Sequence, residues 1–144
     1  MSGKILLGID GSEGSQRALQ FAAQRAKASG EAIIVAYVIE WSPYSFNTPQ
    51  ENEERHKRRE EELKQAAASI LQPAVEQLKA QSIEAQSVAK HGHAAQVMAD
   101  LAEQHDAQMI VVGRRGQSGL KALLFGSVAG SLVQIASVPV TVVP

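Results

Sequence analysis

Cysteine is absent from this 144-residue sequence, which excludes disulfides, thiol catalysis and cysteine-based zinc sites. Aromatic residues are scarce at 4%, and Trp41, Tyr44 and Phe46 fall together in one stretch. Neither sign of charge dominates. A formal net charge of −1 argues against general nucleic-acid binding, which shows a basic surface. No apolar run approaches the 18 residues of a membrane span, and Asp10 interrupts the N-terminal apolar segment too early for a signal h-region. A cytoplasmic protein without membrane insertion is therefore expected. What remains is an ordinary globular composition, 44% hydrophobic and 20% charged, in a length normal for a single domain spanning 1–144.

Short apolar runs alternate with helical patterns along the chain. Lys4–Ile9 reads as a buried strand, followed by the turn Asp10-Gly11-Ser12. A helix starts near Ser12 or Glu13 and runs to Ser29, with Ala18, Leu19, Ala22, Ala23 and Ala26 on one face and Gly30 at its end. Ala32–Ile39 is apolar throughout, as in a strand covered on both faces. After the loop Glu40–Pro49 and a charged stretch, Gln50–Glu62, a helical stripe runs from Leu63 to Leu78. Pro73 lies inside it, so a kink is expected there. Ile83–Lys90 reads as a strand with His91-Gly92-His93 as its exit turn, Ala94–Gln104 as a helix, and Val138–Val143 as the last strand. Strands alternating with helices imply a parallel sheet covered on both faces, with ligands bound beyond the carboxyl ends of its strands.

The most informative stretch is Met109–Ser131. A strand, Met109–Val112, breaks into Gly113-Arg114-Arg115-Gly116, and Ser127 is placed to cap a helix over Ser127–Ala136. Strand, glycine-rich loop and helix start form the arrangement that holds phosphates. Glycines let backbone N–H groups approach an anion, and the helix adds unpaired donors and a positive dipole end. The connection exceeds twelve residues, longer than an ordinary βα loop of about 2–6. A Walker A loop is absent, because Gly113 is followed six on by Gly119 and then Leu120.

Gly113-x2-Gly116-x9-Gly126-Ser127 matches the G-x2-G-x9-G-[S/T] signature of the nucleotide-binding universal stress proteins, and the chain resembles that family throughout. The GIDGSEGS opening (Gly8–Ser15), YVIE (Tyr37–Glu40) and SVPVTVVP (Ser137–Pro144) share in the resemblance. It implies a Rossmann-like, doubly wound α/β fold of the adenine nucleotide alpha hydrolase-like kind, with a five-stranded parallel sheet in order 3-2-1-4-5. It also implies ATP in the crevice, with Mg2+ on the phosphates. Asp10 would lie by the ribose, Ile9 would pack against the base and Val38 would meet the adenine edge with its backbone. Val112 and Gly113 would floor the ribose. Gly116, Gly126, Ser127 and Val128 would hold the phosphates, with Arg115 adding charge. Gly8 stands where some relatives have proline. Relatives pair the last strand with its twofold mate, so the resemblance implies a homodimer through Val138–Val143. It further implies a regulatory, stress-response role, with a transporter or kinase as partner. Slow ATP hydrolysis or phosphotransfer, and a nucleotide-independent dimer scaffold, are the competing functions.

Other motifs have plainer readings. Arg55-His56-Lys57-Arg58-Arg59 is flanked by glutamates at i,i+4 spacing and reads as a solvated helix face. His91 and His93 lack a fixed third ligand and read as a turn beside the crevice.

Overall fold

The computed structural model describes residues 3–40, 49–114 and 127–144. Strand β1 (Lys4–Gly8) leads into helix α1 (Glu13–Ser29), then β2 (Ala32–Glu40). A long helical segment follows as α2 (Pro49–Ala66), a π-helical turn (Ala67–Leu71) and α3 (Gln72–Ala80). Next come β3 (Ala85–Gly92), α4 (Ala94–Gln104), β4 (Met109–Gly113), α5 (Ser127–Ile135) and β5 (Val140–Val143). The strands form one parallel sheet in the expected order, β3-β2-β1-β4-β5.

Strand alternation distributes the core between two layers. Ile5 and Leu7 of β1, with Ile33 and Val35 of β2, face α1 and α3, where Leu19, Ala22, Leu71 and Leu78 complete a buried cluster. Leu6, Ile34, Ala36, Ile110 and Val112 face the other way, onto Met98 and Leu101 of α4 and Ala129 and Leu132 of α5. Small residues allow close approach where the sheet is tightest. A Cβ on Gly8 would stand 2.8 Å from Met98 Cε and 3.1 Å from Val112 Cγ1, so the absence of a side chain there lets α4 close on β1.

Local chemistry sets the helix ends. Ser12 is the N-cap of α1 and its side chain accepts from the Ser15 N–H. Gly30 ends α1 in the left-handed region at φ 78°, returning its N–H to Ala26 O. The kink expected at Pro73 takes the form of the π-turn just before it, where Gln72 N–H reaches Ala67 O instead of the carbonyl four back. Pro73 has no N–H to give the preceding turn, and the wider π-turn makes room for its ring. The helical stripe survives: Ala66, Leu71, Ala74, Val75 and Leu78 are all buried.

Four sequence expectations are corrected. The third strand begins at Ala85, not Ile83, because Ser82 turns at φ 63° and Ile83 N–H bonds back to Leu78 O (3.0 Å). Ile83 is buried all the same, as a plug beneath the turn. That strand continues through His91 and Gly92, which pair with Ile39 and Glu40 instead of forming an exit turn. The last strand starts at Val140, since Pro139 has no N–H to give the ladder, although its carbonyl accepts from Ile110 (2.9 Å). The first strand ends at Gly8, one residue early.

Candidate functional site

The order of the strands reverses at the centre of the sheet. From β1 the chain steps outward to β2 and β3, then returns to the other side of β1 for β4 and β5. The crevice for a ligand in such a sheet lies above that point, at the carboxyl ends of β1 and β4.

There the central strand stops before its two neighbours. Leu7 pairs with Val111 and Gly8 with Ala36, after which β1 stops. Its neighbours run on, β2 to Glu40 and β4 to Gly113. The result is a notch floored by Ile9 and Asp10, with Val38 on one wall and Gly113 on the other. Ile9 N–H makes the last rung with β2, donating to Ala36 O (2.9 Å). Backbone direction repeats every second residue along a strand, so Val38 turns the same edge toward the notch as Ala36 does, two residues beyond that rung. Ile9 is buried on the α1 side, and Val112 on the α4 and α5 side. Val38, also on the latter side, is half-buried.

Asp10 is held by the start of α1. Its Oδ1 accepts from the Ser12 N–H (3.0 Å) and from the Ser15 hydroxyl (2.5 Å), and its own N–H donates to Ser15 Oγ (2.7 Å). The Ser12 hydroxyl donates to Ser15 Oγ (3.3 Å) while accepting from the Ser15 N–H (3.2 Å). Sequence reasoning found Asp10 but missed Ser15. The signal was there in the D-G-S-E-G-S spacing: an aspartate two before an N-cap serine makes an Asx turn, and the residue three past the cap can reach back.

On the far wall, Arg114 N–H donates to Val143 O (2.7 Å), so β4 stays paired to β5 up to the start of its loop. Arg115, Gly116 and Gly126 lie outside the described residues. Ser127 opens α5 and Val128, half-buried, follows in its first turn. Ala129 and Leu132 share an apolar cluster with Val112. That packing anchors the N-terminal part of α5 on the same layer as the Val112 side of the notch.

Two further features border the notch. A cleft of about 350 Å³ lies on the α1 side, between Ser12 and Gln16 of α1 and Ser69, Pro73 and Gln77 of the kinked helix. It includes Ile9 but not Val38, Val112 or Gly113. At the end of β2, Glu40 Oε1 accepts from Ala94 N–H (3.1 Å), serving the otherwise uncapped α4. His91 Nε2 lies 3.1 Å from Arg59 O and 3.9 Å from Glu62, and His93 Nδ1 lies 3.8 Å from Glu40. His91 ties β3 to α2; among the described residues no group of three His, Asp or Glu side chains could hold a metal.

The family model described as Universal stress protein family matches residues 1–144. This chain belongs to the universal stress protein family. A curated family relative, Universal stress protein YxiE of Bacillus subtilis, is 30% identical over 156 aligned positions that cover 99% of each chain. The universal stress protein UspA from Lactobacillus plantarum superimposes with a TM-score of 0.83 at 22% identity, over 99% of this chain and 97% of that one. A universal stress protein solved in complex with cAMP gives 0.71 at 24% identity, covering 99% and 96%. The Archaeoglobus fulgidus universal stress protein in complex with dAMP gives 0.67 at 22%, covering 100% and 98%. At these identities the solved structures establish the common fold of universal stress proteins.

Proposed function

We propose that this universal stress protein binds ATP in the notch above β1 and uses nucleotide occupancy to regulate a partner protein such as a transporter or kinase. The observation that carries the reading is the early end of the central strand. In this reading the Val38 peptide edge, Asp10 and the side-chain-free Gly113 border one space, and the start of α5 packs on the same layer as Val112. An adenine edge would meet Val38, and Ile9 would support the base. The ribose would lie between Asp10 and the Val112-Gly113 end of β4, and the polyphosphate would extend to the first turn of α5. Helix-start donors and dipole suit an anion there. Gly116, Gly126, Ser127, Val128 and Arg115 complete the phosphate cradle in this reading, and Mg2+ bound between phosphate oxygens would offset their charge. Two structural neighbours solved with adenine monophosphates support the class of ligand.

Calorimetric titration with ATP and magnesium tests it. One equivalent per chain is expected, and ATP at a hundred times its Kd adds about 2.7 kcal/mol to unfolding stability. Failure to take up ATP leaves the nucleotide-independent scaffold as the better function. ADP accumulating during the titration would favour the slow ATPase.

We further propose a homodimer through β5. Pro139 O accepts from Ile110 and Val143 O from Arg114, so by alternation Thr141 also faces β4. Val140 and Val142 turn their backbone groups to the open edge, which is a ready template for a second strand. Val142→Pro removes one edge donor and no β4 rung. Sedimentation velocity is expected to show the dimer shifted to monomer at concentrations where the parent remains paired; an unchanged profile would exclude this interface.

A further inference from the structure

Of the polar residues described, only Ser15 and Glu31 are buried. Glu31 lies at the opposite end of the sheet, beside the start of β2, where it pairs with Arg25 (3.3 Å) and Ser29 (2.7 Å). Ser15 lies in the first turn of α1, against Asp10. A hydroxyl has one proton to give and two lone pairs to receive, and Ser15 uses all three. It donates to Asp10 Oδ1 at 2.5 Å, and it accepts from Asp10 N–H at 2.7 Å and from the Ser12 hydroxyl at 3.3 Å. Both ends of Asp10, its peptide nitrogen and its carboxylate, are therefore tied to one oxygen on α1. The Ser12 N–H closes the same ring onto Oδ1 at 3.0 Å.

A helix cap does not require this arrangement. The α1 cap is complete with the Ser12 side chain on the Ser15 N–H. The Ser15 hydroxyl instead adds a second tie, beside the Ser12 N–H, to the orientation of the Asp10 carboxylate. A carboxylate is an acceptor only, so its natural partners in a nucleotide are the sugar hydroxyls. A hydrogen bond to a charged group discriminates only if the acceptor is already aimed, because otherwise the gain is spent on ordering it.

We propose that Ser15 is a positioning residue for Asp10, and that the pair makes this universal stress protein select ribonucleotides by their sugar hydroxyls. The proposal rests on the placement of the ribose over Asp10 given above. Ser15 touches no ligand; it acts through the orientation of Asp10.

The test compares ATP with 2′,3′-dideoxyATP, which differ only in the two sugar hydroxyls, by calorimetry on the full chain. The parent protein is expected to bind ATP about tenfold more tightly, the value of one charge-assisted hydrogen bond. Ser15→Ala is expected to reduce that preference to about twofold while leaving affinity for 2′,3′-dideoxyATP unchanged. Asp10→Asn should give the same loss of preference by removing the acceptor charge directly. A merely structural role for Ser15 would lower both affinities together or lower the melting temperature without altering their ratio, and either result with the preference intact overturns the proposal. A parent protein that binds both nucleotides equally also overturns it, while leaving nucleotide binding in place. A parent protein that binds neither refutes the nucleotide reading itself, and this proposal with it.

Discussion

Replacing Ser127 with aspartate is expected to weaken ATP binding at least about 100-fold while leaving the protein at least as stable as before. The two effects have opposite signs for one physical reason. Ser127 opens α5, and the start of a helix favours negative charge. An aspartate in that first turn stabilises the helix by about 0.3–1 kcal/mol. The same carboxylate occupies the field that a polyphosphate would use. Two unit charges about 4 Å apart repel by about 4 kcal/mol near a protein surface, which exceeds the loss needed for a hundredfold weaker complex. Calorimetry should therefore show ATP affinity reduced at least about 100-fold, and thermal melting should show an unchanged or slightly raised midpoint. Ser127→Ala provides the scale, because loss of one neutral hydroxyl contact costs about 0.5–1.5 kcal/mol. Undiminished ATP affinity in Ser127→Asp would move the phosphates away from α5.

The largest effect on stability is expected at Leu78. Its side chain is fully buried, in the cluster shared by Ile5, Ile33, Val75 and Val111. Its carbonyl accepts from both Gln81 and Ile83 at 3.0 Å, which closes the turn into β3. Leu78→Ala removes apolar contacts that the surrounding helices and sheet can only partly recover by collapsing, so about 2–5 kcal/mol should be lost. Urea unfolding should show the midpoint lowered with little change in slope. Val133 on α5, 50% exposed, is the contrast; its truncation should fall within about 0.5 kcal/mol. Equal losses at the two positions would contradict the packing described for α3.

The alternation of elements was legible because a sheet buried on both faces needs apolar runs, and helices packed on one side need a stripe; the strand order followed from the family resemblance. Ala32–Ile39 and Met109–Val112 read as strands for the first reason, and α1 for the second. Ends of elements were less legible, since tertiary pairing decides them. His91 and Gly92 carry little strand propensity, yet β2 is long enough to pair with both. Ile83 is apolar because a turn needs a plug, not because a strand begins there. For the proposed site, residue types and glycine spacing singled out Met109–Ser131 and the turn at Asp10. They did not reveal that β1 stops short, because that depends on where three strands end relative to one another. Nor did they reveal Ser15, whose hydroxyl matters only once the turn brings it under Asp10.

The central position of β1 also bears on how the chain is made. β1 is the first of the five strands to leave the ribosome, and the next two, β2 and β3, add to one side of it. Its other side has to wait for β4, more than a hundred residues after β1 begins. Until then a short strand of fully buried aliphatic residues, Ile5, Leu6 and Leu7, presents an unpaired edge to the cell. Such edges recruit foreign strands. The notch above β1 is thus started early and finished only when β4 arrives. Synthesis of the C-terminal quarter does double duty, closing the nascent sheet and supplying the second wall of the notch.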